Sequence, residues 1–108
     1  MNPVIKKAKL NWLTPEQGGR TKPPLGLGEP SYATVMRFLD EPWPPVGIAW
    51  SLVVEKIEAA STEYEWIANV YYLMLAAPQD SLISGRKFEL YEGNRCVATG
   101  VILSDDES

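Results

Sequence analysis

A chain of 108 residues with 45% hydrophobic content is sized for one domain around a single core. Its net charge of −4 gives no overall basic footprint for a phosphate backbone, and its one cysteine, Cys96, allows neither an internal disulfide nor a thiolate metal site. Histidine is absent, which removes the commonest zinc ligand and the commonest general base, and no apolar run approaches the roughly 20 residues of a membrane span. The amino terminus lacks the charged-then-apolar layout of a secretory signal, so the expected location is the cytoplasm, with no membrane partner.

Val4, Ala8, Leu10 and Trp12 share one parity and Lys7, Lys9 and Asn11 the other, the pattern of a half-buried strand in which Lys6 breaks the apolar side. From Thr14 to Pro30 the chain holds four prolines and four glycines, which predicts a long loop. A loop of that length in a compact domain is usually functional or pinned by its own contacts. Tyr32 to Phe38 alternates again, with Tyr32, Thr34, Met36 and Phe38 on one side. Glu41-Pro42-Trp43-Pro44-Pro45 then forbids regular structure.

Ile48 to Ile57 reads as a strand with Ile48, Trp50, Leu52, Val54 and Lys56 sharing a face. Trp66 to Leu75 follows, with Trp66, Ala68, Val70, Tyr72 and Met74 on one side. The stretch from Glu63 to Ala77 is free of glycine and proline, but its β-branched and aromatic residues and the lack of a 3.6-residue stripe favour a strand over a helix. Ala76 to Ser84 is a loop. Gly85 to Ile102 is a hairpin that turns at Glu92-Gly93-Asn94, and Ser104 to Ser108 is an acidic tail expected to fray. Six strands without a convincing helix make an all-β sandwich or closed barrel spanning residues 1–103.

Several segments together resemble the third domain, the carboxy-terminal barrel, of the elongation factor Tu family. Ala8-Lys9-Leu10-Asn11-Trp12-Leu13 followed by Glu16-Gln17-Gly18-Gly19-Arg20 is similar to that domain's first strand and its acidic-Gly-Gly-Arg loop. Gly28-Glu29-Pro30-Ser31-Tyr32 resembles its Pro-x-aromatic approach to the second strand. Leu73 to Pro78 with Gly85-Arg86-Lys87-Phe88, and Glu92-Gly93-x-Arg95-x-Val97-x-x-Gly100-Val101-Ile102, are similar to its later strands and closing hairpin. The resemblance runs from about Lys7 to Leu103 and implies a six-stranded antiparallel Greek-key β-barrel. It also departs from the family. The Gly-x-x-x-x-Gly-Lys-Ser/Thr phosphate loop is absent, so no nucleotide cofactor is expected, and Ser61-Thr62-Glu63-Tyr64-Glu65 replaces the family's Pro-Gly-Asp turn. The family's third domain grips the T stem of aminoacyl-tRNA, whereas this chain has only scattered counterparts in Arg20, Arg86, Lys87 and Arg95.

Each candidate site residue has a plain reading beside the functional one. Gly18 and Gly19 with Arg20 form a candidate anion nest, or a turn whose glycines permit positive φ. Lys7 and Lys9 are candidate phosphate ligands, or strand-face lysines that keep an edge from pairing. Glu55 and Glu92 invite a two-carboxylate hydrolase, but outward strand positions make them charged surface, and the serines have no histidine partner. Trp43, between prolines, either caps the barrel mouth or anchors an interface. Ala33, Val35, Val53, Ile67, Tyr71 and Leu73 fall on the outward parity, where they would bury in a dimer or reveal misassigned faces.

The expectation is a non-catalytic protein-interaction module without cofactors. Its contact surface is expected to combine the Thr14–Pro30 loop with the Glu41–Pro45 segment, using Arg20, Tyr32 and Trp43. The alternative is an RNA or tRNA-stem binder using Lys7, Lys9, Lys22, Arg86 and Arg95. A remoter one is an antitoxin- or immunity-type partner of a toxin.

Overall fold

The computed structural model describes residues 4–19, 31–40, 50–59, 62, 64–93 and 95–103. Six strands carry the fold: β1 (Lys6–Trp12), β2 (Tyr32–Phe38), β3 (Trp50–Ala59), β4 (Glu65–Tyr72), β5 (Lys87–Glu92) and β6 (Arg95–Ile102). They close into a barrel in the order β1-β4-β3-β2-β5-β6, and every neighbouring pair is antiparallel. Among the described residues no helix is long and apolar enough to cross a membrane.

The alternation read from the sequence sets which side chains fill the cylinder. Ala8, Leu10 and Trp12 of β1, Met36 and Phe38 of β2, and Trp66, Ala68, Val70 and Tyr72 of β4 are all buried. One-residue slips would turn these sets outward, so the register is strongly specified. In β6 the alternation breaks: Leu90 pairs with Ala98 but Tyr91 pairs with Cys96, so Val97 is the extra residue of a bulge. Both Val97 and Ala98 are therefore fully buried, although they are adjacent. A second register shift between Lys56 and Glu58 bends β3 where it meets the start of β4.

The two ends of the barrel are closed differently. At the upper end, where β1 finishes, Trp12 meets Trp66 edge-on at 4.9 Å between ring centroids, and Tyr32 at 5.6 Å. The Lys56 ammonium lies 5.1 Å from the Trp66 ring, completing the cover with a cation–π contact. At the lower end, Ala77 and Leu82 from the β4–β5 connection join the core. A short 3₁₀ turn, Gln79–Ser81, orders that connection, and the Tyr72 and Ser81 hydroxyls stand 2.6 Å apart.

Two expectations change here. β4 stops at Tyr72 rather than reaching Leu75, so Met74 is 56% exposed instead of facing the core. The reason is local: the Leu73 amide still bonds the Ser51 carbonyl, but the chain then bends and the Ala77 amide closes a turn on the Met74 carbonyl. Val53, on the outward parity, is nonetheless only 5% exposed. Tyr71 pairs with it and reaches along β3 to Glu55, 3.0 Å from its hydroxyl, so the ring lies over this part of the outer face.

Candidate functional site

The glycine pair after β1 is occupied by its own turn. Pro15–Gln17 forms a 3₁₀ turn that ends on Gly18 at φ 88°, a conformation that glycine adopts without steric cost. The Gly18 amide donates to the Pro15 carbonyl and the Gly19 amide to the Thr14 carbonyl, at 3.0 and 2.9 Å. An anion nest needs those two donors, and the turn uses both. A Cβ on Gly19 would stand 2.2 Å from the Leu13 carbonyl oxygen, so close backbone approach fixes this position too.

Tyr32 faces the barrel mouth, with its hydroxyl donating to the Glu92 carboxylate. Both belong to the upper rim, where they tie the start of β2 to the end of β5. Arg20, Lys22 and Trp43 lie outside the described residues. The expected contact surface, Thr14–Pro30 with Glu41–Pro45, therefore falls mostly outside the described residues.

The basic residues divide into three environments. Arg86 is committed to Asp40 through a two-pronged contact, Nε to Oδ2 at 3.0 Å and Nη2 to Oδ1 at 2.9 Å. Its guanidinium also stacks 3.6 Å over the Phe38 ring and donates to the Ser81 carbonyl. The hydrogen bond from Arg86 holds the Asp40 carboxyl below its usual pKa. Arg95 is exposed at the upper rim. Lys7 and Lys9 stand on the outer face of β1, and β1 is paired on both sides, with β4 and with β6. A strand without a free edge needs no lysines to protect one, which removes the plain reading of these two residues.

Register brings a further cation to this face. Lys9 pairs with Val101, and Val101 pairs on its other side with Lys87, so the two lysines flank β6. They border an open groove of about 480 Å³. Its floor is β6, where Thr99, Gly100 and Val101 are short. Its walls are Lys9, Asn11 and Glu65 on one side and Lys87 with Leu39 on the other. Lys9 contacts Glu65 at 3.8 Å, whereas Lys87 has no ion pair among the described residues.

Next along the outer face, Glu89 gathers Arg37, Tyr91 and Cys96. The Arg37 Nε lies 3.5 Å from Oε1, the Tyr91 hydroxyl donates to Oε1 at 3.0 Å, and the Cys96 thiol lies 3.7 Å from Oε2. Burial, reinforced by the Glu89 charge, pushes the Cys96 thiol up to about 11. A thiol so raised is a poor nucleophile.

Exposed apolar side chains are concentrated at the lower end. Of the seven large exposed hydrophobics among the described residues, six are there: Ile5, Leu39, Leu73, Met74, Leu75 and Ile83, at 43–57%. Gln79 orders this surface. Its amide nitrogen donates to the Met74 and Leu75 carbonyls, and its Oε1 accepts from the Val4 amide at 3.0 Å. Alternation puts Leu73 on the outward parity and Met74 on the inward one; Met74 joins Leu73 on the surface because β4 ends at Tyr72. The signal available was Pro78 with Gln79, which marks a turn and shortens the strand before it.

No protein-family model matches this chain, and no curated protein matches it.

Proposed function

We propose that this barrel acts by binding a protein partner through its lower end, without chemistry of its own. The observation that carries the reading is the gathering there of six of the seven exposed large hydrophobics, three of them consecutive in Leu73-Met74-Leu75. Exposed apolar side chains gathered at one end of a fold favour an interaction site, whereas scattered single ones do not. The Gln79 bonds hold the loop in place before any partner arrives, which lowers the ordering cost of association.

The likeness to the third domain of the elongation factor Tu family is supported by the closed six-stranded cylinder and by its strand order. β2, β3 and β4 run as a meander and β1 lies beside β4, an order that fits the Greek key the resemblance implies. Gly18 and Gly19 follow β1, and Glu92-Gly93 turns between β5 and β6, as the resemblance implies. A barrel of this kind hosts many functions, so the partner follows from the surface and not from the fold.

A photo-crosslinking residue placed at Leu75 is expected to give a discrete protein adduct in the source cell, and the same residue at Arg95 none. Leu73→Ser with Leu75→Ser, both exposed, should abolish the adduct obtained from a crosslinker at Ile83. Equal adducts from both ends would refute the assignment.

A second reading has its own support. Lys7 and Lys9 on a fully paired strand, with Lys87 nearby, form a basic outer face suited to an RNA backbone. It requires affinity for duplex RNA that falls steeply with salt as counterions are released. A flat titration would dispose of it.

A further inference from the structure

We infer that the groove over β6 is a binding site for a small phosphorylated compound that also carries an amine or hydroxyl group, such as an amino sugar phosphate. Three observations on the outer face lead to this. The floor is set low because Thr99 and Val101 are short; Val101 has Lys9 and Lys87 beside it in the register, and Thr99 has Asn11 and Glu89, whose carboxylate is held by Arg37 and Tyr91. Lys9 and Lys87 sit two interstrand spacings apart, about 10 Å between Cα atoms, so their flexible arms reach one anion held between them. Lys87 has no ion pair among the described residues, so its charge is not already spent inside the fold.

The next row gives the site its second half. Asn11 pairs with Glu65 on one side and with Thr99 on the other, two residues along from the lysine row, about 7 Å away. That row offers a carboxylate, an amide and a hydroxyl, which suit donors such as a sugar hydroxyl or an ammonium. The groove is thus basic beside Val101 and of mixed charge beside Thr99, where Glu65 lies within 3.8 Å of the Lys9 ammonium. A ligand with charge of one sign throughout would meet repulsion at Glu65. This polarity separates the proposal from a general attraction for polyanions; the groove adjoins the apolar lower end at Leu39.

The experiment is a titration of the ¹⁵N-labelled full chain followed by amide shifts. Its probes are inorganic phosphate, glucose 6-phosphate, glucosamine 6-phosphate and a short RNA duplex. Saturable shifts at Thr99, Gly100 and Val101 are expected, tightest with glucosamine 6-phosphate. Lys87→Gln should weaken that affinity by about tenfold, the worth of one charge-assisted contact. Lys87→Arg should restore most of it, and Lys56→Gln at the upper end should leave it unchanged. Glu65→Gln should erase the preference for glucosamine 6-phosphate over glucose 6-phosphate. The proposal is overturned if these amides do not shift saturably or if Lys56→Gln weakens binding as much as Lys87→Gln. It also fails if the RNA duplex binds more tightly than the sugar phosphates and shifts residues along Lys7 and Arg95 as well.

Discussion

Replacing Gly100 by alanine tests the packing of the barrel interior directly. Gly100 pairs with Leu10 on one side and with Phe88 on the other, and its missing side chain is where their atoms meet. A Cβ there would stand 2.5 Å from the Phe88 Cζ, 2.8 Å from the Leu10 Cδ2 and 2.9 Å from the Phe88 Cε1. Ordinary carbon–carbon contact is about 3.5–4.0 Å, so the overlap approaches 1 Å. Phe88 and Leu10 are both fully buried and cannot swing into solvent. Forcing a methyl group into so filled a core typically costs about 1–3 kcal/mol. With an unfolding entropy near 2.1 cal/mol/K per residue, a chain of this length loses about 4–13 °C in Tm. Thermal and urea denaturation of Gly100→Ala should show that loss with the urea m-value unchanged. Phe88→Leu, which vacates the contested space, should be less harmful in the alanine background than alone, with a coupling of about 1 kcal/mol or more. A neutral Gly100→Ala, or strictly additive single and double variants, would refute the reasoning and the register that places these three residues together.

Gly18→Ala carries a different penalty, because nothing lies within 4 Å of the new methyl but the backbone must hold φ 88°. A loss of about 1–2 kcal/mol is expected in urea titrations, with Gly18→Asn falling between the two. The Cys96 thiol should react slowly with Ellman's reagent at pH 8 in the folded protein and rapidly in denaturant. Its raised folded value makes stability fall as pH climbs from about 9 through about 11, because the unfolded chain ionises first. The difference between wild type and Cys96→Ala should be flat below pH 9 and change only above it. Parallel curves over pH 9–11 would refute the assignment.

Alternation made most of the cylinder legible from residues alone. β2 begins and ends at Tyr32 and Phe38 as the pattern predicts, and the inward set of β4 through Tyr72 is the one its parity specifies. The bulge at Val97 was not legible, because two adjacent buried residues in β6 depend on which partner each faces on β5. The end of β4 is hidden for a related reason: Leu73, Met74 and Leu75 continue an apolar run, and only the turn beyond them shows that they leave the sheet. Lys9 and Lys87 are far apart in the chain, so no local motif could place them on either side of Val101. Their meeting is a product of closure. The two glycines after β1 suit a nest or a turn equally by composition, and the choice between these rests on amide partners that composition does not reveal.

Closure of the sheet also limits how this molecule can be recognised. With each of the six described strands paired on both flanks, these strands offer no row of vacant amides and carbonyls along which a foreign segment could be zipped on as a seventh ribbon. Any companion must be selected by side-chain chemistry on the outer wall or at the rims. The same arrangement denies misfolded neighbours a template for fibril growth, so loop substitutions can retune selectivity without opening a seam.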